Sequence, residues 1–547
     1  MGASRRHRMP PRFSRLKFRE FSTDEWIVGS LIAAVLACGI LQQFWLYRHE
    51  LGFTALFTDD ITLFLNCRGS WLMRPSIFNL RDTPTPLMDI LGGLWLRVAG
   101  GSWSRWLFLQ SAMSWISCAF IALIAGELFP KAKPAGFVPA AAFAGAALSP
   151  LRALQSMGAM EFPWIQAFGA AGIFCWLRYR SRARPQWLYA AAGCFLLGSA
   201  VHFNGWHYLA LFSLWCLSRI LLERNGRRRN LPAALLIACF YVVAAGLFVL
   251  PRFLAADKAV YSSTGFASPF LDPILEIQIL FPALCLLALI SAFALRRDAG
   301  FDWSYLLWPL GSLALAGLLH LLGLAGSFIH LTHLFGLRQL LVPLAAGSLT
   351  LIPRARRRTA LLLGMASVIF WSSRTLPRYL NDPGRVSFND SSVRVFALVK
   401  ALRVDGLLPD ASRVLVPPIP EYSPPPHRLL GPPPAILADP DKVLVDRFCD
   451  FSHGPCHFAW RVPPYFPSFF SLSPAAMRDV LRRENIRLVV AQGQEGRHLR
   501  PFMAEAGAFP PYHFFVPADD RGLQAAAIHL AATIDGVPFA IKRAKPD

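Results

Sequence analysis

Eleven apolar runs, separated alternately by basic clusters and by segments nearly free of basic residues, constrain this chain more than any other feature. They fall at 26–46, 105–129, 136–150, 158–177, 186–201, 205–222, 231–250, 275–295, 304–325, 333–352 and 359–376. A helix of about 20 apolar residues crosses a bilayer, and hydrocarbon admits it because its backbone hydrogen bonds are all internal. The runs at 136–150 and 186–201 are short, but the charge alternation requires both. With the N-terminus in the cytoplasm, the inward segments carry 23 Lys/Arg, beginning with seven between Arg5 and Arg19. Outside, apart from the first loop and the C-terminal tail, only Arg152, Arg252 and Lys258 remain. This is the positive-inside pattern, and eleven spans leave the C-terminus outside.

Composition removes the main alternative. At 54% hydrophobic and 16% charged residues the chain does not read as a set of soluble domains. A net charge of +22 would invite nucleic acid as a partner, but the charge sits in short clusters between spans. From Arg378 onward 20 Lys/Arg stand against 17 Asp/Glu, which leaves no basic face, so no nucleic-acid partner is expected. A basic arm before Val35-Leu36-Ala37-Cys38 has the look of a lipoprotein signal, yet the apolar run continues past Cys38 to Leu46 and reads as a first span.

Three parts follow: a basic cytoplasmic arm, 1–25; a polytopic all-α membrane domain, 26–376; and an extracytoplasmic tail, 377–547. The outside loops are short except the first, 47–104. Within it Thr58 can cap a helix that begins Asp59-Asp60 and carries Ile61, Phe64, Leu65, Arg68, Trp71 and Leu72 at helical spacing. A second helix is predicted from Thr85 as cap and Pro86 as first residue, with Leu87, Ile90, Leu91, Leu94, Trp95 and Val98 on one face and Gly100-Gly101 as its stop. Two amphipathic helices of this kind make a platform on the membrane surface. The tail alternates helix signals (Val393 to Leu402, Met477 to Leu481) with strand signals (Arg413–Val416, Arg487–Val490), which predicts a small α/β domain. Nine prolines in the 18 residues 417–434 make a stiff extended segment between these units.

The candidate chemistry lies on the outer side. Adjacent residues on a helix point about 100° apart, so Asp59 and Asp60 cannot both face one atom; acids at a helix start also stabilise it through the dipole, without chemistry. Arg68, Arg74 and Arg81 lie in a loop where topology disfavours basic residues, and they suit either lipid headgroups or a phosphate ligand. Arg338, within an apolar span, needs a specific partner because an unpaired charge there is costly. Glu161 stands at the outer end of the fourth span, as a site residue or an interfacial acid. His202, His207, His330 and His333 gather at outer span ends, where packing or hydrogen bonding to a sugar fits better than metal binding. Six cysteines in later spans, Cys118, Cys175, Cys194, Cys216, Cys239 and Cys285, read as small core residues. Cys449 and Cys456 read as a disulfide in an exported domain; with His453 and His457 beside them, zinc and free thiols are the other readings.

The ordered motifs carry a resemblance. The first span, then Phe57-Thr58-Asp59-Asp60-Ile61-Thr62-Leu63-Phe64, Thr83-Pro84-Thr85-Pro86-Leu87 and Gly101-Ser102-Trp103-Ser104-Arg105-Trp106-Leu107 resemble the C-type (GT-C) glycosyltransferases, in pattern the protein O-mannosyltransferase and aminoarabinose-transferase group. Ser149-Pro150 through Phe162, Val201-His202-Phe203-Asn204-Gly205 and Leu337-Arg338-Gln339-Leu340-Leu341-Val342-Pro343 extend it in order over most of 26–350. Three positions depart from the family's pattern: Met160-Glu161-Phe162 replaces an Arg-aromatic pair, Gln339 replaces Tyr, and Asp60 replaces the commoner Glu. The resemblance implies a GT-C fold, a polyprenyl-phosphate sugar donor and a glycan, lipid or protein acceptor. It also implies Asp59 as general base, Asp60 positioning a substrate, and inversion in a single displacement. Arg68, Arg74, Arg81, Arg338, Glu161, His202 and His333 are then candidates for binding donor phosphate or sugar. No cofactor is assigned; a divalent metal is left open. A transporter or flippase for lipid-linked glycans is the competing expectation, but repeated halves with matching broken helices are not evident in the sequence. A polysaccharide ligase or polymerase is a third.

Overall fold

Every one of the eleven apolar runs carries a helix in a computed structural model of the chain, which describes residues 23–49, 64, 67, 86–132, 136–149, 152–153, 156, 161–202, 205–222, 224–244, 275–295, 301–321, 331–380, 390–417, 434–446 and 468–535. In chain order these are α1 (Thr23–His49), α3 (Trp103–Leu128), α4 (Phe137–Ala147), α5 (Phe162–Arg182), α6 (Pro185–Val201), α7 (Trp206–Leu222), α8 (Arg224–Ala244), α9 (Leu275–Leu295), α10 (Leu307–Leu321), α11 (Leu331–Gly347) and α12 (Arg354–Leu380). Helix α2 (Pro86–Ala99) precedes α3. Among the described residues two segments, Thr23–Tyr47 and Trp103–Leu128, are long and apolar enough to cross a membrane by themselves; at 1.5 Å per residue each exceeds the roughly 30 Å hydrocarbon core.

The bundle is apolar outside as well as inside. Leu41, Phe108 and Phe293 are 64%, 62% and 75% exposed, in helices whose inner faces are also apolar. Such a surface is costly in water and ordinary in lipid. Helix α5 is the hub: nearly every residue from Phe162 to Leu177 is buried, between α3 and α6. Gly169 and Gly172 permit this, since a Cβ at either would stand 2.5 Å from the ring of Tyr208 or Phe195. Trp176 packs edge-on against Trp308 at 5.4 Å and Phe195 stacks on Trp308 at 5.0 Å, tying α5, α6 and α10.

Charge pairs gather at the end of the bundle that the alternation assigns to the cytoplasm. Arg178 meets Glu127 (Nε to Oε1, 2.8 Å), Arg180 meets Asp302 (Nε to Oδ2, 2.6 Å), and Arg358 pairs with Asp24. The starts of α5, α7 and α11 and the ends of α1, α4 and α6 lie at the opposite end.

Helix α2 begins at Pro86, as its sequence predicts. It buries Met88, Asp89 and Leu96 and leaves Leu91, Leu94 and Val98 exposed, so the apolar stripe faces away from the protein. Gly92 lies under Trp106, whose ring would be 2.5 Å from a Cβ, so the face toward α3 is the one with least side chain.

Beyond the bundle, α13 (Asp390–Val404), β1 (Arg413–Val416), β2 (Val443–Val445), α14 (Pro474–Arg483), β3 (Ile486–Gln492), β4 (Met503–Phe509), β5 (Tyr512–Pro517) and α15 (Arg521–Asp535) form an α/β domain. Its sheet order is β2-β1-β3-β5-β4, with β2, β1 and β3 parallel and β5 antiparallel to both neighbours. Alternation along β1 sends Val414 and Val416 to the core cluster that includes α13 and α15, and Leu415 to the one around Phe469, Met477 and Val480. The Lys400 ammonium of α13 stands over the Tyr47 ring of α1 at 5.7 Å, seating the domain at the outer end of the bundle. Among the predicted core cysteines, Cys118, Cys175 and Cys216 are buried free thiols, whereas Cys239 is exposed on the flank of α8.

Candidate active site

At its outer end α5 carries Pro163 in its first turn and has no side-chain cap; the Glu161 carbonyl accepts from the Trp164 and Ile165 N–H groups, both at 3.1 Å. The Glu161 carboxylate turns to His202 instead, whose Nδ1 is 3.4 Å from Oε1, with both residues buried. His202 ends α6 in extended conformation, and its carbonyl accepts the Gly205 N–H at 2.9 Å. This turn folds back onto α6 so closely that a Cβ on Gly205 would stand 2.2 Å from the Gly198 carbonyl oxygen. Trp206 Nε1 donates to the Ser199 carbonyl at 3.2 Å and pins it. A glycine-dependent turn and a helix with proline in its first turn thus hold a carboxylate beside an imidazole in a buried place. Together they can accept and donate hydrogen bonds to hydroxyls.

Next to this pair runs a seam of buried amides. Trp164 Nε1 donates to Gln110 Oε1 at 3.1 Å, linking α5 to α3. Gln339 on α11 accepts from Ser117 Oγ (2.8 Å) and donates to Gln166 Oε1 (2.9 Å), joining three helices through one side chain. This accounts for Gln where the family pattern has Tyr: here the position serves as an interhelical clamp. Arg338 and His333 share α11 with it.

A second polar cluster lies where α1 meets α3. Gln43 Oε1 accepts from Ser111 Oγ (3.1 Å) and Trp115 Nε1 (3.2 Å), while Nε2 donates to Ser156 Oγ (2.6 Å). Its neighbour Gln42 donates to Ser372 Oγ at 2.7 Å. Beside them Arg152 is buried with its guanidinium 4.4 Å from the centre of the Trp115 ring. Among the described residues none of its three side-chain nitrogens has a hydrogen-bond partner.

Of the residues singled out in the sequence, Glu161 and His202 come together. Arg338 and His333 are placed as helix positions on α11. Asp59, Asp60, Arg68, Arg74, Arg81, Cys449 and Cys456 lie outside the described residues. Between 50 and 85 the described residues are Phe64 and Cys67. Phe64 packs edge-on against Trp103 at 5.2 Å, and the buried Cys67 thiol donates to Asp89 Oδ1 at 3.5 Å. These two residues thus contact α2 and the start of α3, where Ser102 Oγ caps α3 by accepting from the Arg105 N–H at 3.4 Å. Among the described residues no group of three or more His, Cys, Asp or Glu is gathered as for a metal ion. Sequence reasoning passed over Gln43, Gln110 and Gln166, and noted Arg152 only as one of the few basic residues on the outer side. Their signal was available: amides within apolar runs, and a basic residue on the side kept nearly clear of them.

No protein-family model matches the chain, and no curated protein matches it. Solved structures match in fold. The crystal structure of ArnT from Cupriavidus metallidurans bound to undecaprenyl phosphate is similar over 91% of this chain and 99% of that one, with TM-score 0.52 and 11% identity. The archaeal oligosaccharyltransferase AglB from Archaeoglobus fulgidus, in complex with an inhibitory peptide and a dolichol-phosphate, matches 93% of this chain and 78% of its own at TM-score 0.45 and 10% identity. At 11% identity the likeness to ArnT is one of fold, and it agrees with the resemblance that the ordered motifs carry.

Proposed function

We propose that this chain is an integral inner-membrane glycosyltransferase that moves a sugar from a polyprenyl-phosphate donor to a hydroxyl of a glycan, lipid or protein on the extracytoplasmic side. The observation that carries this reading is the end-to-end correspondence with ArnT, 91% of one chain on 99% of the other, because that protein is bound to a polyprenyl phosphate. The buried Glu161–His202 pair supports it, being polar groups suited to sugar hydroxyls at the end of the bundle where Phe64 packs on Trp103.

In this reading Asp59 removes the proton from the acceptor hydroxyl as its oxygen attacks the anomeric carbon. The bond to the carrier phosphate breaks with its electron pair going to the phosphate, and the anomeric centre inverts. A phosphate leaves without protonation, so a second carboxylic acid is not required. Asp60 positions a substrate, and Arg68, Arg74, Arg81 and Arg338 offer cations to the departing phosphate. Asn in place of Asp59 keeps the shape but cannot take a proton, so purified Asp59→Asn should bind donor and lose roughly 10²- to 10⁴-fold in rate. Asp60→Asn should act more on substrate affinity. Turnover of a labelled polyprenyl-phosphate sugar decides this: near wild-type rates in both variants would overturn the mechanism.

A further inference from the structure

We infer that Arg152 is a receptor for the phosphate of the lipid carrier, a role that rests on the glycosyl-transfer reading above. The guanidinium is buried within the helical bundle, and among the described residues none of its nitrogens has a hydrogen-bond partner. Its contact is the face of Trp115, which lends a cation–π attraction but no neutralising charge. An arginine kept away from water and, among the described residues, from any anion is a costly feature that packing alone would remove. The surroundings are already committed: Gln43 Oε1 serves Ser111 and Trp115, and Gln43 Nε2 serves Ser156. What is left over is a planar fork of donors, whose geometry matches phosphate oxygens.

The route to it points to a lipid-borne phosphate. Gly39 of α1 packs directly on this pair: a Cβ there would stand 2.5 Å from the Trp115 ring and 3.4 Å from Arg152 Nη2, so the guanidinium lies immediately behind the α1 backbone. The residues that follow it, Ile40, Leu41 and Phe44, are exposed apolar groups on the outer surface of the bundle. A phosphate tethered to a polyprenyl chain can come in along that surface, with its chain on the apolar face of α1. Free phosphate would have to leave water entirely. In the structure the guanidinium is stowed against Trp115, and carrier binding would exchange that contact for phosphate oxygens.

The test compares full-length wild type, Arg152→Met and Arg152→Lys in detergent, each melted with and without undecaprenyl phosphate, phosphatidylglycerol or inorganic phosphate. Without ligand, Arg152→Met should melt no lower than wild type, because it removes an unpaired buried charge. Undecaprenyl phosphate should raise the wild-type Tm, with affinity roughly 10- to 100-fold weaker in Arg152→Met and an intermediate loss in Arg152→Lys. Phosphatidylglycerol and inorganic phosphate should give no Arg152-dependent shift. Equal affinity of all three proteins for undecaprenyl phosphate, or an unliganded Arg152→Met that melts lower or does not fold, overturns the role of Arg152 while leaving the glycosyl-transfer reading intact. An equal Arg152-dependent shift with phosphatidylglycerol or inorganic phosphate overturns the assignment to the carrier. Failure of undecaprenyl phosphate to stabilise wild type overturns both readings.

Discussion

Single residues at the outer end of the bundle carry the chemistry proposed for this chain, and their positions follow from backbone constraints. Glu161 stands before a first turn that holds Pro163 and makes no side-chain cap, and His202 is fixed because only glycine at 205 fits against the Gly198 carbonyl. Glu161→Gln preserves volume but removes the charge beside His202. If the pair binds the donor sugar, the KM for donor should rise about tenfold, the worth of a hydrogen bond to a charged group, with kcat changed less. Steady-state kinetics on the purified variant check this, and an unchanged KM would remove the pair from the site. Both residues were legible in the sequence as polar groups at span ends. That they touch each other was not, because they are separated by two helices and the contact depends on how tightly α6 turns into α7.

Elements are held to one another at two levels, amides in the interior and ion pairs at the end assigned to the cytoplasm. The Arg180–Asp302 pair joins α5 to the turn before α10, and the carboxyl is pulled below the usual carboxylate range. Burial works against this; hydrogen bonds from Arg180 and Ser304 and the Arg180 charge outweigh it. A carboxylate whose folded pKa is depressed stabilises above its unfolded value, about 4, and loses that contribution as pH falls through the folded value. Asp302→Asn should therefore cost about 1 kcal/mol at pH 7. The Tm gap from wild type should close on acidification below about pH 4; a gap constant with pH would mean that the loss is steric. The sequence predicted α2, α13, α14, β1 and β3 with little error, since apolar period and turn residues mark them. It did not predict β4 and β5, whose Ala, Gly and aromatic content lacks a β-branched alternation and which become strands by pairing with each other and with β3.

For the whole molecule, the sequence-derived expectation is eleven spans with the N-terminus inside and the C-terminus outside. A reporter active only outside the cytoplasm should work when fused after Asp547 or within 260–270 and fail near Arg182, Arg228 or Arg357. Activity at Arg228 would overturn that order. The positions of the helices were determined by the sequence itself, because an apolar run in hydrocarbon has no choice but to satisfy its own backbone. The tail's α/β character was legible for the same kind of local reason. Tertiary structure decided which polar groups meet: Gln339 bridging Ser117 and Gln166, Glu161 against His202, Arg152 against Trp115 without a counter-charge among the described residues. Each of these depends on the rotation and separation of helices far apart in the chain, set by where Gly39, Gly92, Gly169, Gly172 and Gly205 let neighbours close in. The period of a single helix carries no information about that distance.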